Sequence, residues 1–157
     1  MIHDDFWSRM KNIQRIHRLL YGIGLGPIIG KIILLLTTTG RKSGQKRVTP
    51  LQYEEIDGRY YLGSARGTRS DWYRNIAADG RVEVRVKNRR FRGMAETVTD
   101  PARIANFLEI RLQRHPRMMG LLMQKAHSLP KHPSREQLFE LAASEAMVII
   151  QSLEELR

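Results

Sequence analysis

Cysteine is missing from this chain of 157 residues. No disulfide framework, thiolate metal site, iron–sulfur cluster or cysteine nucleophile can be built from it. The absence also suits a reducing cytoplasm. Long apolar runs are missing too. The longest stretches without charge, 19–30 and 32–40, fall short of the roughly 20 residues that a spanning helix needs. Asp4, Asp5, Arg9 and Lys11 interrupt the first apolar residues, which argues against a secretory leader. Neither G-x-G-x-x-G after a strand nor G-x-x-x-x-G-K-[ST] occurs, so both common nucleotide-binding loops are absent, and no serine sits in a G-x-S-x-G elbow. The five histidines lack metal-ligand spacing with one another, and the adjacent Glu54 and Glu55 face opposite sides of a strand rather than forming an acid/base pair. Acidic residues are scarce: 16 Asp+Glu stand against 27 Lys+Arg, a formal net charge of +11. That excess points to an anionic partner: nucleic acid, a membrane surface, or a phosphorylated or carboxylated small molecule.

What is present reads as one domain across 1–157. Apolar residues at helical spacing (Phe6, Trp7, Met10, Ile13, Ile16, Leu20) predict a basic amphipathic helix over 4–21. That helix either docks on its own domain, the preferred reading, or touches a membrane surface or partner. Strands are expected at 32–39, 47–56 and 59–64, with a hairpin at Asp57-Gly58. Ser70 is placed to cap a short helix over 71–78. Two further strands follow, through Val82–Val86 and Phe91–Thr97. A helical segment over 101–144 includes a helix opened by Asp100-Pro101 and a capping box at Ser134 and Gln137. A terminal strand spans 146–150, closing a barrel drawn from 32–99 and 146–151. Most strand connections are hairpins, so the fold expected is α+β: a small six-stranded antiparallel barrel with flanking helices.

Two segments carry candidate chemistry. The turn Gly40-Arg41-Lys42-Ser43-Gly44-Gln45-Lys46-Arg47 has four cations in eight residues. Glycines let backbone N–H groups converge on an anion and arginine binds phosphate or carboxylate bidentately; an ordinary solvated hairpin tip is the equally weighted alternative. Downstream, Trp72 and Tyr73 stand where aromatic rings can lean over a flat ring system, with Asn75 beside them; a core anchor and a loop brace are the plainer roles. Met118, Met119, Leu121, Leu122 and Met123 read first as a packed helix face and second as an adaptable apolar pocket. A second cationic cluster, Arg81, Arg85, Lys87, Arg89, Arg90 and Arg92, keeps open a non-catalytic barrel that binds nucleic acid, although exposed aromatic stacking platforms are lacking there.

Taken together, Thr37-Thr38-Thr39-Gly40-Arg41-Lys42-Ser43-Gly44-Gln45, Arg47-Val48-Thr49-Pro50-Leu51, Trp72-Tyr73-Arg74-Asn75 and Gly80-Arg81-Val82-Glu83-Val84 resemble the deazaflavin-dependent nitroreductase and quinone reductase family. The resemblance implies a split β-barrel of the flavin-reductase type and the coenzyme F-420, an 8-hydroxy-5-deazaflavin carrying a phosphate and an oligoglutamate tail, ahead of FMN. It implies that Arg41, Lys42, Ser43 and Arg47 hold the phosphate and tail, and that Val48, Thr49, Pro50 and Leu51 line the ring site. Ser64, Ala65 and Arg66 then contact the cofactor from the end of the third strand, while Trp72, Tyr73 and Asn75 close the other side. An oxidoreductase of this kind passes hydride to a small-molecule acceptor: a quinone, a nitroaromatic or an activated alkene. It needs no protein nucleophile. Tyr73 and Ser64 are the candidate proton donors, with solvent as sufficient. A cytoplasmic protein is expected, with membrane association as the second reading, and a homodimer is a further expectation. A barrel carrying another flavin, heme or a fatty acid is a third functional reading.

Overall fold

The computed structural model describes residues 33–157, so the helix expected over 4–21 lies outside the described residues. Seven strands form one antiparallel sheet: β1 (Ile33–Thr39), β2 (Lys46–Gln52), β3 (Glu54–Ile56), β4 (Arg59–Ser64), β5 (Arg81–Val86), β6 (Arg89–Val98) and β7 (Ala146–Glu155). Their spatial order is β2-β1-β5-β6-β7-β4-β3. The count corrects the six expected, because the second strand breaks at Tyr53. Residues up to Gln52 pair with β1, from Lys46 opposite Thr39 to Gln52 opposite Ile33. Residues from Glu54 pair with β4 instead, Glu54 opposite Tyr61. One stretch of chain thus supplies both ends of the strand order and curls the sheet into an α+β split barrel. Pro50, which cannot donate a ladder hydrogen bond, sits in terminal β2, where strands tolerate proline.

Four helices accompany the sheet: α1 (Asp71–Ala78), α2 (Pro101–Arg114), α3 (Pro116–His127) and α4 (Arg135–Ala142). Asp100 caps α2 by accepting from the Ala102 N–H, with Pro101 in the first turn, where its missing N–H costs nothing. Ser134 and Gln137 form a reciprocal capping box on α4. The β3–β4 turn places Asp57 and Gly58 both at positive φ, the conformation a tight two-residue hairpin needs.

Strand alternation separates two cores. Leu34, Leu36, Tyr60, Leu62, Val82, Val84, Phe91, Val148 and Ile150 fill the barrel. Val98, Met147 and Ile149 face the other way and pack on Ile104, Phe107 and Leu108 of α2, Met119 and Met123 of α3, and Leu138 of α4. β7 therefore serves both layers, which is why residues 146–150 are buried without alternation. The strand runs five residues beyond the expected end, since Glu154 and Glu155 continue the ladder opposite Arg92 and Phe91. The Met-rich segment divides accordingly: Met119 and Met123 are core, whereas Met118, Leu121 and Leu122 are exposed.

A buried ion cluster ties α2 to the bend in the barrel. Glu54, just past Tyr53, meets Arg114 at 3.2 Å, Arg111 at 3.9 Å and the imidazole of His115 at 2.7 Å. Burial pulls the Arg111 guanidinium below its ordinary pKa, against the opposing influence of Glu54.

Candidate functional site

A cleft of about 610 Å³ opens where the β1–β2 turn, the first half of β2, the β4–α1 loop and α1 converge. Its walls are Gly40, Arg41, Lys42 and Ser43 from the turn, Arg47, Val48 and Thr49 from β2, Arg66 and Ser70 from the loop, and Asp71, Trp72 and Asn75 from α1.

The turn is folded by its own backbone. The Gly40 N–H donates to the Gln45 carbonyl at 2.7 Å, and the Gly44 N–H to the Gly40 carbonyl at 2.8 Å. Gly44 has φ of +70°, a conformation glycine adopts freely. A Cβ on Gly40 would stand 2.8 Å from Ser43 Oγ and 3.1 Å from the Gln45 carbonyl, so a larger residue there would make Ser43 rotate and the carbonyl give way by a few tenths of an ångström.

Asn75 anchors the turn to the body. Its amide donates from Nδ2 to Thr38 Oγ1 at 3.2 Å, and its Oδ1 accepts from the Arg41 N–H at 3.2 Å and from Arg41 Nη1 at 3.0 Å. Thr38 and Asn75 are both buried. Arg41 is further engaged by Asp71, whose carboxylate lies 3.0 Å from Nη2. Its fork is therefore directed at α1 as much as at the cleft. Lys42, Arg47 and Arg66 differ: none has a side-chain hydrogen bond or ion pair among the described residues. Three cations thus border one cleft with no side-chain counter-charge paired to them among the described residues, and charge of that kind attracts an anion.

The third-strand group divides. Ser64 is buried and donates from Oγ to the Gly67 carbonyl at 2.6 Å, with Ser70 Oγ at 2.9 Å. Its only proton is used in holding the loop. Ser70 precedes α1, but its side chain makes no capping bond, contrary to the expectation. Trp72 is half-buried against the barrel core and lines the cleft, its ring edge-on to Tyr73 with centroids 6.3 Å apart. Tyr73 itself is buried in the barrel core.

Of the residues singled out in the sequence, the fold brings Arg41, Lys42, Ser43, Arg47, Val48, Thr49, Arg66, Trp72 and Asn75 around one cleft. Pro50, Leu51, Ser64, Ala65 and Tyr73 do not line it; Leu51 packs on the barrel core and Ala65 is exposed. Gly40, read as part of the turn, Ser70, read as a helix cap, and Asp71 also line the cleft, though none was assigned to the cofactor site. Ser70 and Asp71 carry only helix-start signals in the sequence, and nothing local distinguishes a serine that caps from one that faces a cleft. Among the described residues, no group of His, Asp or Glu could hold a metal ion, and no helix is long and apolar enough to cross a membrane.

The second cationic cluster has another character. Arg81 pairs with Asp79 at 2.9 Å, Lys87 with Glu55 at 3.8 Å and Arg92 with Glu154 at 3.4 Å; Arg90 pairs with Glu83 and Arg89 with Glu155. Hydrogen bonds from Arg81 hold the Asp79 carboxyl below its ordinary range. Of the six cations in that cluster, Arg85 alone has no such partner among the described residues.

Comparison with known proteins places this geometry in context. A model of the F420H(2)-dependent quinone reductase family matches residues 9–143. An F420H(2)-dependent quinone reductase of Mycobacterium tuberculosis (strain ATCC 25618 / H37Rv) is 40% identical over 68 residues, covering 41% of this chain and 46% of that protein. The chain therefore aligns with somewhat less than half of that relative's length. Among solved structures, an F420-H2 dependent reductase superposes with a TM-score of 0.53 at 22% identity, covering 77% of this chain and 95% of that one. A structure described as a domain-swapped dimer gives 0.53 at 20% identity, with 94% and 99% covered. At these identities the two structures establish the fold alone.

Proposed function

The chain belongs to the F420H(2)-dependent quinone reductase family, and we propose that it binds reduced coenzyme F-420 in the cleft and passes hydride to a small electron acceptor. Quinones come first, with nitroaromatics and activated alkenes as further acceptors. The observation that carries this reading is the trio of unpaired cations, Lys42, Arg47 and Arg66, around a cleft that also offers an indole face. A phosphate with several carboxylates supplies the counter-charges that the described residues do not.

When bound, the deazaflavin supplies two-electron hydride chemistry at a ring carbon. The chain's own part is to bind and orient. Lys42, Arg47 and Arg66 hold the anionic end. Val48 and Thr49 present one wall to a flat ring and Trp72 the other. Asn75 and Arg41 set the turn at its distance from α1. Ser64 is not the proton source in this arrangement, because its proton is given to Gly67. Tyr73 lies in the core, so the proton that follows hydride comes from solvent. A homodimer belongs to the same proposal, prompted by the domain-swapped neighbour, and light scattering tests it.

The pairing of Arg81, Lys87, Arg89, Arg90 and Arg92 favours the cofactor reading over nucleic acid, since a paired cation releases fewer counterions on meeting a phosphate backbone. The deciding experiment is a titration with F-420 followed by tryptophan fluorescence, then oxidation of the reduced cofactor by a quinone. Quenching is expected in the wild type and should be largely lost in Trp72→Phe; Trp7 reports any remainder. Absence of binding at low salt overturns the reading.

A further inference from the structure

Ser64, Gly67 and Ser70 fix the direction of a hydrogen bond inside the cleft wall. The Gly67 carbonyl can only accept, and Ser64 Oγ lies 2.6 Å from it, so Ser64 donates its single proton there. Ser70 Oγ is 2.9 Å from Ser64 Oγ. With Ser64's proton already used, Ser70 must be the donor in that contact. Both serines are buried, at 1% and 6% exposure. Ser70 Oγ then has lone pairs and nothing else left to offer. A serine at this position usually spends a lone pair on the first-turn N–H groups of its helix; Ser70 does not. Ser70 Oγ thus keeps acceptor capacity that no described residue uses. Ser70 lines the cleft.

We infer that Ser70 is a one-way hydrogen-bond acceptor in the cleft, a specificity-determining residue that favours ligands presenting an N–H or O–H to that wall. The inference rests on the proposed cofactor reading. The 8-hydroxy-5-deazaflavin ring carries two such donors, the imide N–H and the ring hydroxyl, whereas its carbonyl edges are acceptors that Ser70 would repel. Ser70 thereby sets which edge of the ring enters against the β4–α1 loop, a task that Lys42, Arg47 and Arg66 cannot perform because they read only charge.

The test uses the full chain and three ring ligands, each with its ribityl phosphate: the parent deazaflavin, its imide N-methyl derivative and its ring O-methyl ether. Dissociation constants are measured for wild type, Ser70→Ala and Ser64→Ala. In the wild type, methylating the donor that meets Ser70 should weaken binding about threefold to tenfold, the worth of one neutral hydrogen bond. In Ser70→Ala that penalty should vanish for the same position, while the parent binds about threefold to tenfold more weakly. Ser64→Ala leaves Ser70 in place but frees its proton, so the penalty should shrink there too; this variant carries the comparison should Ser70→Ala fail to fold. Equal methylation penalties in all three proteins at both positions overturn the inference while leaving the cofactor reading intact. A wild type that binds none of the ligands overturns both.

Discussion

Two groups of cations on this molecule look alike in the sequence and differ in the fold. The β1–β2 turn with its neighbouring loop exposes Lys42, Arg47 and Arg66 around a cleft with no partner among the described residues. The β5–β6 ladder carries twice as many positive charges, yet all but Arg85 are matched by Glu83, Glu154, Glu155, Glu55 or Asp79. Cation density in a sequence therefore measures little by itself. The informative quantity is the charge left after internal pairing, and that depends on strand register. Glu83 stands opposite Arg92, beside Arg90, because β5 and β6 pair as they do; Glu154 and Glu155 come from residues more than sixty positions away.

The largest effect should separate the two groups directly. Lys42→Ala and Arg47→Ala should each weaken F-420 binding about tenfold to a hundredfold at physiological salt, as expected for a lost hydrogen bond to a charged group of roughly 1.5–3 kcal/mol. Arg90→Ala should leave affinity within about twofold, because its charge acts only through a field that salt screens over about 8 Å. The loss in the turn variants should be smaller for a ligand stripped of phosphate and glutamates. Equal effects from all three substitutions, measured by titration, would break the comparison.

A second variant sharpens it from the side of the scaffold. Asn75→Ala removes the bonds that join Thr38, Arg41 and α1, leaving a buried threonine hydroxyl and the Arg41 N–H without a partner. Denaturant unfolding should show a loss of about 1–2 kcal/mol, and cofactor affinity should fall with it as the turn loses its position. Lys42→Ala should change affinity without changing stability. Stability unchanged in Asn75→Ala would mean that the turn is held by its own backbone and the Arg41–Asp71 pair.

The smallest effect concerns paired charges far from the cleft. Hydrogen bonds from Arg103 hold the Glu96 carboxyl below its ordinary 4.5. A lowered carboxyl stabilises the fold above its unfolded value and loses that contribution as acid takes the pH down through the folded one. Both side chains are well exposed, so the contribution is screened and small. Glu96→Gln should slightly flatten the acid limb of the stability curve and leave F-420 affinity alone. A change in affinity would show that pairs on the sheet reach the cleft after all.

Much of the architecture was legible because local signals and tertiary structure agree. α1 at 71–78, β4 at 59–64, the Asp57-Gly58 hairpin and the Ser134 capping box follow from alternation, turn chemistry and caps. The break at Tyr53 was not, since no glycine or proline marks it; the chain changes partner there for reasons set by the whole sheet. The turn and Trp72 were legible as a place where chemistry gathers. The engagement of Arg41 by Asp71 and Asn75, and the use of Ser70's proton by Ser64, were not, because those contacts depend on distances between segments up to 34 residues apart.

The shared stretch from Lys46 to Ile56 has a consequence for fidelity. Sliding a strand by one residue against its neighbour turns every side chain to the opposite face. Here the ladder with β1 and the ladder with β4 are read from one ribbon, with Tyr53 alone between them. A slip on one side drags the other out of step, so an error that an open sheet could tolerate at its margin is penalised twice. The cleft is the beneficiary: Arg47, Val48 and Thr49 lie on that ribbon, and their aim is checked from both ends of the sheet.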